Sequence, residues 1–380
     1  MRRLIHPWLD ALSVTVLGSM VVSCAEQVTR DTVVPQPPSH MDDGWDVASL
    51  QDVGLNAGVI EQVSEEIAHG GYGAVNGLLM ARSGKLVWEE YYRGFERHHL
   101  HELQSVTKAI TSALIGMAVA RKSLEDVKQP IYRFFPEYEA LFEADGLKKE
   151  ITIQHLLTMT AGIAWDESVV SYTDPENDMR QLVESADWLR FVLEKPMAAA
   201  PGTRFAYNGG CTLILGAILQ RATGMQVDAF AERYLFEPLG IAVSEWAEAL
   251  NGPEQMAHTA GGLRLRARDL AKIASLYLNG GSWNKQQIIP EEWIQLSITP
   301  HVRSSDALHY GYQWWVSLLQ MNEDSPQAMR IAFGRGFGGQ YVLIIPDLQL
   351  LVVVLGGNYE AAGNLSIRLI NDVLKAVGAP

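Results

Sequence analysis

Ser105 and Lys108 stand three residues apart in the segment Leu103-Gln104-Ser105-Val106-Thr107-Lys108. Residues at i and i+3 of a helix share a face, so this spacing puts a hydroxyl and an amine on one turn. A serine hydroxyl is a weak nucleophile until a neighbour takes its proton. An amine serves as that base when burial or nearby positive charge disfavours the ammonium form. The start of a helix adds the positive end of its dipole, which favours a developing anion. Four-residue patterns of this kind are common, and a serine helix cap followed by a solvated lysine is the alternative. The next residues weigh against it. Ala109 to Ala120 is a run of twelve without a charge, rich in small residues. A lysine that opens so apolar a helix is expected to be buried. The chemistry implied is acyl transfer through a covalent serine intermediate.

Several elements must hold this pair. Leu55 to Ala68 has helical spacing, and Ser105 to Arg121 reads as the buried helix just described. Gly77 to Arg82 and Lys85 to Tyr92 flank Ser83-Gly84 as a hairpin. The middle, from about Leu124 to Pro300, reads as mostly helical with Gly and Pro breaks. Tyr341 to Ile345 and Leu350 to Leu355 are β-branched-rich strands joined through Pro346-Asp347, and Leu365 to Val377 closes as an amphipathic helix. Strands near both ends with helices between them predict an α+β fold. In it, an antiparallel sheet built from N- and C-terminal segments is flanked by helices and carries an inserted, mostly helical lobe. The domain termini then lie close together.

The 380 residues are 48% hydrophobic and 19% charged, with a formal net charge of −14. That suffices for one large domain, placed at residues 49–380. No basic face is visible, so no nucleic-acid partner is expected. Met1-Arg2-Arg3 and the apolar run Ala11 to Val22 read as a leader too short to span a membrane. The leader ends Val21-Val22-Ser23-Cys24, which resembles a bacterial lipobox with Cys24 as the lipidated residue. A plain signal peptide or an uncleaved anchor are the alternatives. Residues 1–24 are thus assigned as leader and 25–48, with Pro35, Pro37 and Pro38, as a flexible tether. The expected location is the periplasm or cell envelope, with the membrane contacted only through the lipid. Cys211 is then the one cysteine left in the body, and no disulfide framework exists.

Ser105-Val-Thr-Lys108 and its helix resemble the class C β-lactamase-like serine hydrolases. This family includes β-lactamases, D-aminopeptidases and carboxypeptidases, lactamase-like carboxylesterases and 6-aminohexanoate-dimer hydrolases. Further segments carry the likeness: Ile151 to Gly162, Pro201-Gly-Thr-Arg-Phe-Ala-Tyr207, Gly261 to Asp269 and Tyr310-Gly-Tyr-Gln-Trp-Trp315. It runs from about Val53 to the C-terminus. The resemblance implies a β-lactamase/transpeptidase-like fold, a small-molecule ester or amide substrate, and no metal or cofactor.

The family's second motif is Tyr-x-Asn, whose tyrosine oxygen lies beside the nucleophile and the lysine. Tyr207 matches that tyrosine. A phenol titrating near about 10 accepts a proton only when adjacent cations stabilise it. Here the segment reads Tyr207-Asn208-Gly209. The third-position amide is absent, which puts β-lactam turnover in doubt; Asn208, one residue early, is kept as a candidate lining the substrate cleft. The third motif is Lys-Thr-Gly or His-x-Gly on a strand edging the site. Gly334-Arg335-Gly336-Phe337-Gly338-Gly339-Gln340 is its counterpart, read with Phe337-Gly338-Gly339 in place of the motif. The implied oxyanion donors are the N–H groups of Ser105 and Gln340, with Phe337 N–H as the alternative register. Phe337 removes the usual cation and favours neutral substrates, while Arg335 is a charge without a placed role. Of Trp314-Trp315, one ring is expected to wall the cleft and the other to pack in the core; the sequence does not say which, and Trp314 is kept as the cleft candidate.

His98, His99 and His101 lack the spacing of a zinc motif and read as a polar loop. Asp166-Glu167 reads as a solvated loop or helix cap, with a carboxylate base as the alternative. The expected activity is esterase-like hydrolysis with weak or no β-lactamase activity. An amide or D-peptide hydrolase, or a non-catalytic acyl-binding lipoprotein, are the rivals.

Overall fold

The computed structural model describes residues 37–247, 256–320, 328–360 and 365–377. The leader and Cys24 lie outside the described residues, as does the first half of the assigned tether. In chain order the elements that matter here are β1 (Asp46–Val47), α1 (Ala57–Ala68), β2 (Val75–Arg82), β3 (Lys85–Tyr91) and α2 (Thr107–Ala120). Then follow α3 (Gly209–Thr223), α4 (Ala267–Leu278), β4 (Val302–Arg303), β5 (His309–Tyr310), β6 (Trp315–Gln320), β7 (Ala328–Gly336), β8 (Gln340–Ile345), β9 (Leu350–Gly356) and α5 (Leu365–Leu374).

The strands form one nine-stranded sheet in the order β1-β3-β2-β9-β8-β7-β6-β5-β4. Every pairing is antiparallel except that of β1 with β3. The C-terminal strand β9 lies against the N-terminal β2, so the sheet closes the chain's two ends together, as expected. Every residue of β8 and of β9 is buried. Side chains alternate between faces along a strand, so both faces of the sheet centre are covered. Helices α1 and α5 pack on each other, and α4 packs on β8 and β9. The β2–β3 turn uses Ser83 and Gly84, both with positive φ, as a two-residue hairpin requires.

Residues 131–239 supply the helical lobe, whose core helix α3 packs against α2. Asn208 caps α3 by accepting from Cys211 N–H, and Gly224 ends it in the left-handed conformation. The sequence reading is corrected at two places. The body begins earlier than residue 49: Trp45 is buried, β1 pairs with β3, and Asp43 and the Ser39 carbonyl hold Arg268. Strands β6 and β7 were not read as strands, because their register is set by each other and glycines interrupt β7.

Candidate active site

Ser105 sits in a single 3₁₀ turn, Gln104–Val106, that runs straight into α2. Gln104 has φ 49°, a left-handed conformation that costs a non-glycine residue about 1–3 kcal/mol and that concentrates at functional sites. Lys108 follows one turn later and is 2% exposed. Its Nζ donates to Ser105 Oγ at 3.0 Å and to the Ala260 carbonyl at 2.8 Å. The loop carrying Ala260 is fixed by Thr111 Oγ1, which donates to the Thr259 carbonyl at 2.8 Å. Helix α2 thus delivers both groups, and a turn 152 residues away orients the amine.

Tyr207 immediately precedes the α3 cap. The Lys108 Nζ lies 5.1 Å from the centroid of its ring. The ring stacks on Trp315 at 5.7 Å and meets Tyr310 edge-on at 6.4 Å. Ser105, Lys108 and Tyr207 therefore converge. Asn208 does not join them: it is 2% exposed and spends its side chain on the helix cap, which corrects its assignment to the cleft.

The third segment also needs correction. Pairing of β6 with β7 ends at Trp315 opposite Phe333, while β7 runs on to Gly336. Gly334 to Gly336 therefore has β8 on one edge and no strand on the other. A Cβ on Gly336 would lie 2.5 Å from the Leu103 carbonyl and 2.9 Å from Gln104 Cβ. This glycine, not Gly339, makes the close approach to the turn that carries Ser105. A Cβ on Gly339 would instead meet Ser366, and one on Gly338 would meet Tyr359. Both take positive φ in the β7–β8 turn. Gln340 lies across the turn from Gly336, with its side chain bonded to the Gly356 carbonyl and N–H. The segment beside Ser105 is thus Gly334-Arg335-Gly336, followed by Phe337. The reading with Gln340 as donor was displaced by three residues, because a hairpin of four glycines offers several equivalent registers.

Phe337 is 41% exposed and packs against Tyr172 at 5.2 Å and Tyr359 at 5.5 Å. The Arg335 guanidinium lies 4.1 Å from the Trp315 ring centroid. Trp314, the cleft candidate, packs in the core against Tyr277 at 4.6 Å; Trp315, also buried, is the ring that stacks on Tyr207. His101 is no loop residue; it is buried and hydrogen-bonded to Asn76 at 2.9 Å.

Two further residues belong to this site. His258 lies in the turn that binds Lys108, and its buried Nδ1 has no partner among the described residues. Burial, and secondly the Lys108 charge, push its imidazole down to about 4, so it stays neutral at pH 7. Glu167 is 3% exposed rather than solvated. Its carboxylate accepts from Trp165 Nε1, Tyr172 Oη and the Gly209 N–H. Burial raises the Cys211 thiol, which suits an inert core cysteine.

Known proteins resemble this chain in sequence and in fold. The family model described as Beta-lactamase matches residues 59–361. Esterase EstB of Burkholderia gladioli is 32% identical over 171 residues, which is 43% of this chain and 43% of EstB. The chain therefore spans less than half of that relative. The 6-aminohexanoate-dimer hydrolase of Paenarthrobacter ureafaciens is 22% identical across 89% of this chain and 83% of its own. Among solved structures, EstCE1, described as a hydrolase with promiscuous acyltransferase activity, superposes with a TM-score of 0.69. It is 19% identical and is covered over 100% of its length by 87% of this chain. With a family model that matches most of its length, the chain belongs to the beta-lactamase family, among the class C-like serine hydrolases.

Proposed function

We propose that this hydrolase cleaves esters or amides of small molecules through an acyl-enzyme on Ser105, with Lys108 and Tyr207 as a shared base. The observation that carries the reading is the 3.0 Å contact of Lys108 Nζ with Ser105 Oγ in a buried setting. Lys108 and Tyr207 accept the hydroxyl proton as one coupled unit. Ser105 Oγ then bonds to the carbonyl carbon, and the carbonyl electrons move onto oxygen. We assign the oxyanion donors to the N–H groups of Ser105 and Phe337, because Gly336 abuts Leu103 and Gln104. The tetrahedral intermediate collapses with loss of the alcohol or amine, which leaves carrying the proton. Water repeats the cycle with Tyr207 as base, releases the acid and restores Ser105.

The exposed aromatic surface of Phe337 and Tyr359 favours an ester-like, apolar substrate. Esterase and amide-hydrolase relatives support both bond types. The absent third-position amide supports little or no β-lactam turnover. We further propose export with a lipid on Cys24, which an intact mass of the membrane-fraction protein tests. A mature N-terminus elsewhere than Cys24 rules it out.

Hydrolysis of p-nitrophenyl butyrate by the parent and by Ser105→Ala tests the mechanism. The variant should lose activity to background, and a fluorophosphonate should label only the parent. Equal rates in both proteins would remove Ser105 as nucleophile. Labelling of Ser105 without turnover of any ester or amide would favour an acyl-binding protein instead.

A further inference from the structure

We propose that Glu167 is a positioning residue for hydrolysis at Ser105, tying the base side of the cleft to the oxyanion side. The inference rests on the Ser105 reading above. A buried carboxylate is costly unless donors surround it. Glu167 has three. Its Oε2 accepts from Trp165 Nε1 at 2.9 Å and from Gly209 N–H at 2.6 Å, and its Oε1 accepts from Tyr172 Oη at 3.0 Å.

Each donor belongs to a different part of the site. Gly209 is the third residue of Tyr207-Asn208-Gly209, where the motif would carry an amide side chain. A Cβ there would stand 2.9 Å from Glu167 Oε2. The carboxylate therefore fills the space that the side chain of a third-position residue would need. By holding the Gly209 N–H it fixes the backbone two residues after Tyr207, whose ring must keep its place between Lys108 and Trp315. On its other oxygen it holds Tyr172, whose ring lies on Phe337 at the oxyanion turn. The loop that carries Glu167 is itself clamped: Asn177 Nδ2 donates to the Glu167 and Val170 carbonyls, and Asp166 N–H donates to Asp178.

The carboxylate also brings charge. Its field and that of Lys108 act with opposite sign on the buried His258 and Cys211. The titratable or charged groups around this space are Lys108 on α2, Tyr207 and Cys211 beside and on α3, and His258 in the Lys108 turn. Tyr172, Tyr310 and Arg335 also face it, and the Glu167 loop is flanked by Asp166 and by Asp178, which pairs with Lys195. Its hydrogen bonds go to Gly209, Trp165 and Tyr172 rather than to Ser105 or Lys108, so Glu167 acts through the backbone that carries Tyr207.

Glu167→Ala and Glu167→Gln separate positioning from simple stability. Both are assayed for kcat and KM on p-nitrophenyl butyrate from pH 5 to 9, for fluorophosphonate labelling of Ser105, and for thermal melting. Glu167→Ala should lower kcat about 100-fold with KM little changed, the cost of an ångström-scale misplacement. Glu167→Gln can still accept from Gly209 and Trp165 and donate to Tyr172 Oη. It should melt like the parent and keep kcat within about tenfold. Its pH–rate profile should differ from the parent's, because a negative charge hydrogen-bonded to Gly209 and Tyr172 is removed. A Gln variant with the parent's kcat and pH profile, beside an Ala variant that only melts earlier, overturns the proposal. If the Ala variant does not fold, the Gln pH profile decides alone. An inactive Ser105→Ala beside unaltered Glu167 variants sinks this inference only, whereas an active Ser105→Ala sinks both.

Discussion

Gly336→Ala is the sharpest probe of the oxyanion edge. The added Cβ would stand 2.5 Å from the Leu103 carbonyl oxygen, 2.9 Å from Gln104 Cβ and 3.1 Å from Gln340 Cβ. Carbon–oxygen contacts settle near about 3.3 Å, so the strand edge and the nucleophile's turn must part by roughly 0.8 Å. Neither neighbour is a flexible side-chain end that could swing away. A shift of that size at a positioned donor costs about 100-fold in rate, or about 2.7 kcal/mol of barrier. Overpacking of this kind costs about 1–3 kcal/mol in stability. Gly339→Ala is the control. Its φ of 91° makes alanine strained there too, but its Cβ meets Ser366, away from Ser105. The assay is kcat/KM on p-nitrophenyl butyrate, with urea midpoints for both variants. Gly336→Ala should lose rate far beyond its stability loss, and Gly339→Ala should lose stability with rate kept within about fivefold. The reverse ranking would return the oxyanion donor to Gln340 and refute the register argued from the close approach.

Asn208→Ala should cost about 1 kcal/mol in urea unfolding and leave kcat within about twofold, because the side chain caps α3 rather than holding substrate. A 100-fold loss of kcat would put that amide back in the cleft. His258 gives a pH signature in stability. Its folded pKa of about 4 lies below the ordinary 6.5, so the folded state binds fewer protons than the unfolded chain between these values. Stability from this group is therefore full above about pH 6.5 and is lost as pH falls toward 4. Between pH 7 and 5 the loss is about 2 kcal/mol. Urea unfolding of the parent and His258→Gln at both pH values should show the parent losing that much more. Equal losses would mean that the ring is not held neutral by burial and Lys108.

Much of this site is legible in the amino-acid order because its signals are local. Ser105 and Lys108 lie on one helical turn, and the twelve uncharged residues after them require burial whatever the surroundings. The β2–β3 hairpin, strands β8 and β9, and the closing helix follow from periodicity and turn residues in the same way. The N- and C-terminal strands were expected to share a sheet, and β2 does pair with β9.

What tertiary structure alone decided are contacts between distant segments. No local pattern shows which of four glycines meets the Leu103 carbonyl, since that depends on where β6 stops pairing with β7. Trp314 and Trp315 alternate sides of one backbone, and only the sheet's register says which side is the cleft. Glu167 reads as an ordinary loop carboxylate until an N–H 42 residues away is placed against it. Local spacing determines which groups can face one another within an element. Register and packing across the sheet decide which groups from different elements meet, and for this chain that choice set Gly336 against the Leu103 carbonyl and Glu167 against the backbone that follows Tyr207.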